Sequence, residues 1–145
     1  MKTFLVILLT ALFLAAGCTS KPYQPVSPNP ILTGFWYGDF YGVAVKLDIQ
    51  AGDNKVFGGA QLCNATACTP VLGVEGVYEG DRFRVSFGDS SATVTLDGVY
   101  SLDNLYTVFS ATHLPHAYSL TLERQVPGSV HQQSLASATL AEVIR

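Results

Sequence analysis

Apolar and polar residues alternate along the chain from about residue 33 to residue 124, and short turn-forming segments interrupt the alternation. Between residues 43 and 50, for example, valine, leucine and isoleucine occupy every second position, and mostly polar residues lie between them. A period of two is typical of a strand with one buried face. The pattern predicts eight strands, at residues 33–40, 43–50, 55–63, 69–77, 82–87, 92–99, 105–112 and 118–124.

Tight turns connect most of these predicted strands, so consecutive strands should lie side by side and antiparallel. An open meander of this length would expose two unpaired edges, and closure into a barrel removes both. We therefore expect an all-β fold, an eight-stranded antiparallel up-and-down barrel. A two-sheet sandwich is the alternative with the same number of strands. A barrel of this size is either just filled by its own side chains or holds one small ligand.

The first 30 residues follow a different pattern. Residues 4–16 are almost entirely apolar, follow Lys2 and lead into small residues before Cys18. This order is typical of an export signal, and the run is too short for a membrane-spanning helix. Residues 19–30 contain four prolines, which exclude a helix or a central strand and predict an extended tether.

These patterns divide the chain into four parts. We expect a signal peptide at residues 1–17, a modified cysteine and tether at 18–30, the β-barrel domain at 31–124, and a C-terminal tail at 125–145. Within the tail, Ser134 could cap a short helix that runs to Arg145, with a weak apolar stripe formed by Leu135, Leu140, Val143 and Ile144.

The segment Leu14-Ala15-Ala16-Gly17-Cys18 resembles the lipobox of bacterial lipoproteins, with Ala15 where that family usually carries leucine. The resemblance implies cleavage before Cys18, a diacylglyceryl group on its thiol and acylation of the new amino end, with palmitate-type chains. Two or three acyl chains make a firm membrane anchor. In an envelope with two membranes, Thr19 after the cysteine implies the outer membrane. The alternative is an ordinary signal peptide followed by a free cysteine.

The only tryptophan lies in the segment Leu32-Thr33-Gly34-Phe35-Trp36-Tyr37. This segment resembles the first motif of the lipocalins and their calycin relatives, an apolar residue followed by Gly-x-Trp-Tyr. The resemblance implies that Trp36 plugs one end of the barrel and that Gly34 lets the first strand bend beneath it. The family also places an arginine over this tryptophan, for which Arg124 is the candidate. Alternatively, Gly-x-Trp simply begins an aromatic strand.

Two functions follow from the barrel prediction. As in lipocalin-like lipoproteins, the interior could hold a small apolar or amphipathic ligand; alternatively, a filled barrel could be a structural or interaction module of an envelope complex. The small residues Gly58, Ala60 and Gly98 favour interior room, whereas the many phenylalanines and tyrosines favour a filled interior. The predicted pocket lining consists of inward positions: Val45, Leu47, Phe83, Val85, Val94, Leu96, Phe109 and Leu120.

Cys63 and Cys68 are separated by four residues. In an exported protein such a pair is expected to be oxidised, and this pair would close a small loop between the third and fourth predicted strands. A redox site would require two cysteines separated by two residues at the start of a helix. We therefore expect a structural disulfide.

Composition and charge exclude several classes of function. The net charge is −3, and the eight lysines and arginines are scattered singly, so a nucleic-acid partner is not expected. A proline between His113 and His116 prevents helical spacing of the two rings, and we expect neither a metal nor a cofactor. Asp39 is the one acid inside an aromatic strand, and it is expected to face outward. Because no oriented nucleophile or carboxylate pair is evident, an enzyme is not expected.

Overall fold

The computed structural model describes residues 27–126 and 136–144. The predicted signal peptide, Cys18 and most of the tether lie outside these ranges, as do Ser134 and Leu135. Within the described residues the elements are β1 Gly34–Phe40, β2 Val43–Gly52, β3 Lys55–Cys63, β4 Ala67–Cys68, β5 Leu72–Glu79, β6 Arg82–Gly88, β7 Thr93–Tyr100, β8 Asn104–Ala111, β9 Tyr118–Gln125, β10 Ala136–Ser137 and α1 Leu140–Val143.

Eight long strands close into an antiparallel barrel. Each pairs with the next along the chain, β3 pairs with β5 across the short β4, and β9 returns to pair with β1. The closing register places Trp36 opposite Arg124. The predicted up-and-down barrel is confirmed, and the sandwich alternative is wrong, because one continuous ladder of hydrogen bonds runs around all eight strands.

Two-residue turns connect β1 to β2 and β2 to β3. Asp53 and Asn54 both adopt left-handed backbone conformations, with φ of 51° and 62°. Such turns match the right-handed twist of the strands, and Asp and Asn tolerate the conformation better than most residues. These tight connections hold the first three strands in register.

The fourth predicted strand begins at Leu72 rather than at residue 69. Its predicted first residue, Thr69, instead completes the loop after β3: its amide donates to the Leu62 carbonyl at 2.8 Å, and its hydroxyl accepts from the Leu62 amide at 3.1 Å. Pro70 has no amide hydrogen to continue the ladder. The loop therefore separates β4 from β5.

Over residues 136–144, the C-terminal tail differs from the helix that the sequence predicts for residues 134–145. Ala136 and Ser137 form β10, which pairs in parallel with β4, and the helix comprises only Leu140–Val143. Thr139 precedes it, and the Glu142 carboxylate accepts from the Thr139 amide and hydroxyl, each at 2.8 Å. Thr139 therefore takes the capping position that the sequence pattern assigned to Ser134.

The barrel has two ends, which we name by their residues. The Trp36 end holds the start of β1, the end of β9 and the β2–β3, β5–β6 and β7–β8 turns. The disulfide end holds the loop closed by Cys63 and Cys68 together with the β1–β2, β6–β7 and β8–β9 connections. Inward side chains between these ends form one apolar core.

Candidate functional site

Trp36 is the inward residue near the start of β1 and is 1% exposed. Its indole nitrogen donates to the Leu32 carbonyl at 3.0 Å, and the Arg124 guanidinium carbon lies 4.2 Å from the ring centroid. A cation over an indole face is attracted by the negative charge of the ring face. Trp36 is therefore covered by a residue of the last barrel strand.

Arg124 also connects three chain segments at this end. Its guanidinium donates to the carbonyls of Leu102 at 2.7 Å, Thr33 at 2.9 Å, and Ile31. A Cβ at Gly34 would lie 2.6 Å from an Arg124 nitrogen. Gly34 thus provides the space that the guanidinium occupies, a steric role beyond the bend implied by the lipocalin resemblance.

The chain before β1 covers the rest of the Trp36 end. Leu32 is fully buried in the core. The Asn29 side chain donates to the Tyr100 hydroxyl at 2.7 Å, and that hydroxyl donates to the Gly80 carbonyl at 2.6 Å. The last residues of the predicted tether are therefore joined to the barrel.

The short helix α1 covers the disulfide end. Leu140, Val143 and Ile144 are at most 4% exposed and belong to the same core as the barrel residues. The Leu140 amide donates to the Asp89 carboxylate at 2.8 Å, and the Ala141 amide donates to the Ser91 hydroxyl at 3.1 Å. Apolar burial and polar contacts together hold α1 on the β6–β7 turn.

Asp89 is the polar centre of this attachment. Its other oxygen accepts from the Ser91 amide at 2.7 Å, the Ala92 amide at 3.1 Å and the Ser91 hydroxyl. The hydrogen bond from the Ser91 hydroxyl, helped by the backbone amides and opposed by burial, lowers the pKa of Asp89 to about 2. The carboxylate therefore stays ionised and holds α1 at neutral pH.

The residues predicted to line a pocket all lie inside the barrel. None of them is more than 3% exposed, and all belong to one apolar cluster that also contains Trp36 and the buried residues of α1. The Phe109 ring stacks on Phe40 with centroids 4.8 Å apart. The inward placement matches the strand pattern, and aromatic packing occupies part of the interior.

Of the three small residues that suggested interior room, the two glycines have a different role, whereas Ala60 is buried in the core. A Cβ at Gly58 would lie 2.1 Å from the Asp48 carbonyl, and one at Gly98 would lie 2.0 Å from the Tyr106 carbonyl. Each glycine therefore allows the backbone of a neighbouring strand to approach closely. Neither supplies space at the centre of the barrel.

The predicted disulfide between Cys63 and Cys68 is present. Within its loop, the Asn64 side-chain oxygen accepts from the amides of Thr66 and Ala67 at 3.0 and 2.9 Å. The Cys68 carbonyl accepts from the Ala138 amide at 2.8 Å, just before α1. The disulfide loop thus supports the C-terminal segment.

The remaining polar candidates lie on the surface. Asp39 is exposed and accepts from the Gly42 amide at 3.2 Å within the β1–β2 turn. His113 Nε2 lies 2.6 Å from the Ser91 carbonyl, and His116 is exposed. Among the described residues, no group of three His, Cys, Asp or Glu side chains comes together to hold a metal ion.

The sequence interpretation missed a surface of mixed apolar and charged residues outside the barrel, which we call the outer β5–β9 face. Two rows of outward residues cross five strands in the paired registers. The rows are Val77, Arg84, Asp97, Val108 and Ser119, and then Glu79, Arg82, Val99, Tyr106 and Thr121. Four of these residues are apolar or aromatic and at least 36% exposed: Val77, Val99, Tyr106 and Val108.

Two shallow depressions, each of about 650 Å³, lie along this face and share Arg82 and Asp97. Arg84 forms an ion pair with Asp97 between them. The sequence signal was available, because apolar residues stand at positions where the alternation places polar ones. Exposed apolar residues bordered by charged ones are typical of contact surfaces.

No protein-family model, curated protein or solved structure matches this chain. In the two stretches that the structure describes, no helix has the length and apolar character needed to cross a membrane.

Proposed function

We propose that this chain is a lipid-anchored protein of the bacterial cell envelope whose filled barrel is a scaffold in a protein complex. The observation that carries the proposal is that the chain covers both ends of its own barrel. Leu32 and Trp36 are buried at one end, and Leu140, Val143 and Ile144 are buried at the other. Ligand sites are concave and accessible to the ligand, whereas this interior is enclosed by the protein itself.

The outer β5–β9 face is the proposed contact surface. Its centre combines Tyr106 and Val108 with Arg82 and Arg84, and tyrosine and arginine are enriched at protein interfaces. A closed barrel has no free strand edge, so a partner would bind through side chains. The lipobox-like segment ending at Cys18 supports the anchor, and Thr19 supports the outer membrane as its location.

Transport or storage of a small apolar ligand is the alternative proposal. It is favoured by the small size of the cover at the disulfide end, since α1 contains only four residues. Release of the contacts to Asp89 and Ser91 would expose the inward residues, including Phe109, to a ligand.

Photo-cross-linking in the producing cell tests the proposed surface. The photoreactive residue p-benzoylphenylalanine replaces Tyr106, and the matched control carries it at Phe57. Both are outward aromatic residues of similar exposure, 51% and 47%, and their strands β8 and β3 lie on opposite sides of the barrel. We expect a discrete protein adduct from position 106 and none from position 57.

Native and denaturing mass spectrometry of the full chain separates the two proposals. Apart from the covalent acyl groups on Cys18, the scaffold predicts a protein with two hydrogens fewer than the reduced chain and no small molecule that is lost on denaturation. A small molecule that is lost on denaturation, together with no adduct at position 106, would contradict the scaffold and support the carrier.

A further inference from the structure

A second group of exposed apolar residues lies at the Trp36 end, and we call it the apolar rim. It consists of Ile31, Phe35, Leu102 and Val126, which are 43%, 41%, 66% and 75% exposed. Arg124 holds them together, because its guanidinium bonds the carbonyls of both Ile31 and Leu102. Phe35 pairs with Gln125, which precedes Val126. The rim is thus one structural group around the end of β9.

The chain leaves the barrel toward Cys18 at the same end. Pro28 bridges to Gly52, and the Ser27 amide donates to the Asp53 side chain at 3.2 Å, beside the β2–β3 turn. Residues 19–27 separate Cys18 from Pro28. A stretch of this length spans at most roughly 35 Å, so an acylated Cys18 would keep the Trp36 end close to the membrane surface.

We propose that the apolar rim rests on the lipid bilayer in which the acylated Cys18 is anchored. The inference builds on the lipid anchor of the proposed function. A tether raises the effective concentration of the rim at the membrane, so a contact too weak to hold a free domain is sufficient. Shallow insertion of the rim removes four large apolar side chains from water.

The charges beside the rim determine which lipids favour this contact. Asp48 lies opposite Phe35 in the β1–β2 register, Asp103 follows Leu102, and both are exposed. Anionic headgroups repel these two carboxylates, which outnumber the one guanidinium of Arg124 within the rim. The contact is therefore apolar in origin, and it weakens as the anionic lipid content rises.

This orientation has a consequence for the rest of the surface. α1 and the disulfide loop lie at the opposite end of the barrel and would face away from the membrane. The outer β5–β9 face lies on the side wall, so membrane contact would leave it accessible to a partner.

Tryptophan substitutions serve as fluorescent reporters of which end of the barrel contacts the bilayer. The experiment uses the full lipidated chain. Leu102→Trp places a reporter in the rim, and Phe35→Trp is a second rim reporter in case the first variant folds poorly. Tyr41→Trp is the control, because Tyr41 is 86% exposed at the disulfide end. Native Trp36 contributes the same background to every variant.

Each variant is reconstituted in phosphatidylcholine vesicles, with brominated phosphatidylcholine as the quencher. We expect emission from the rim reporters to be blue-shifted relative to the Tyr41→Trp control and to be quenched by the brominated lipid. Addition of phosphatidylglycerol should reduce this quenching. Emission from the Tyr41→Trp variant should stay unquenched. Equal quenching of rim and control reporters, or quenching of neither, overturns the proposal. A blue shift without quenching, accompanied by a cross-linked dimer, would assign the rim to a second copy of the chain and also overturn it.

The intact mass of the purified chain distinguishes failure of this inference from failure of the anchor. Absence of acyl groups on Cys18 would refute the lipid anchor of the proposed function. An acylated chain whose rim reporters stay unquenched would refute only the membrane contact.

Discussion

At the scale of single residues, Arg124 on β9 contacts both the segment before β1 and the β7–β8 turn. Its side chain covers Trp36 and bonds carbonyls before β1 and in the β7–β8 turn. Asp89 has a similar role at the other end, where its carboxylate joins the β6–β7 turn to α1. In both cases one charged side chain makes hydrogen bonds to backbone amides or carbonyls. Without it, these backbone groups would lose water on folding and gain no hydrogen-bond partner in return.

Replacement of Arg124 by alanine should destabilise the barrel by about 1–3 kcal/mol, because several carbonyls and the Trp36 face lose a charged partner. Urea unfolding followed by Trp36 fluorescence measures the change. The control is Arg84→Ala, whose side chain is 69% exposed in its pair with Asp97. An exposed ion pair contributes only about 0–1 kcal/mol. Equal losses for the two variants would contradict the structural role of Arg124.

The stability contribution of Asp89 should depend on pH. Its pKa falls from 3.8 to about 2 on folding, so its contribution is fully present above pH 3.8 and is lost as the pH falls toward 2. The difference in thermal unfolding temperature between the wild type and Asp89→Asn should therefore shrink across this window. Asp48→Asn, on the exposed face of β2, controls for the change in net charge. A difference that stays constant down to pH 2 would show that the carboxylate charge is not responsible.

At the scale of elements, the disulfide loop, β10 and α1 act together. The loop carries β4, β4 pairs with β10, and α1 follows two residues after β10. An isolated helix of four residues is unstable in water, so the stability of α1 comes from its contacts. Leu140 buries its whole side chain, whereas Asp89 and Ser91 satisfy the first amides of α1.

Leu140→Ala should cost about 2–5 kcal/mol, because it leaves a cavity in the core beneath α1. Leu102→Ala removes the same atoms from a side chain that is 66% exposed, and it should change stability by about 0.5 kcal/mol or less. Chemical denaturation of both variants measures the difference. A small loss at Leu140 would mean that α1 is not part of the folded core.

Loss of the disulfide should have a moderate effect. The double variant Cys63→Ala and Cys68→Ala frees a short loop, for which chain entropy predicts a cost of about 2 kcal/mol. Hydrogen exchange should increase most at the amide of Ala138, which donates to the Cys68 carbonyl. Unchanged exchange at Ala138 would show that the disulfide does not support the C-terminal segment.

At the scale of the whole molecule, the segment before β1 and the helix α1 cover the two ends of the barrel. These two segments decide whether the barrel interior is accessible. A chain that ends at Val126 lacks α1 and should expose apolar interior surface at the disulfide end. We expect this variant to bind a hydrophobic fluorescent dye and to unfold at lower temperature than the full chain. Equal dye binding by the full chain would show an accessible interior and favour the carrier.

Local patterns in the sequence were enough to predict the eight long strands, their order and the disulfide. Alternation reports which face of a strand is buried, short connections make neighbours antiparallel, and a separation of five positions suits a small covalent loop. Each signal lies within a few residues along the chain. The beginning of β5 and the length of α1 were mispredicted, because Thr69 and Asp89 act through contacts that a local pattern does not contain.

The segments that cover the two ends of the barrel became evident only in the folded structure, because they depend on contacts between distant residues. Arg124 bonds Thr33 across 91 positions, and Asp89 bonds Leu140 across 51. Side-chain identity alone did not reveal either partner, because barrel closure brings Arg124 to Thr33 and the packing of α1 on the β6–β7 turn brings Leu140 to Asp89. In the same way, Gly58 and Gly98 suggested interior space, yet the neighbouring strand backbone occupies the positions a Cβ would take. Interior space depends on how closely strands approach, which is a property of the closed barrel.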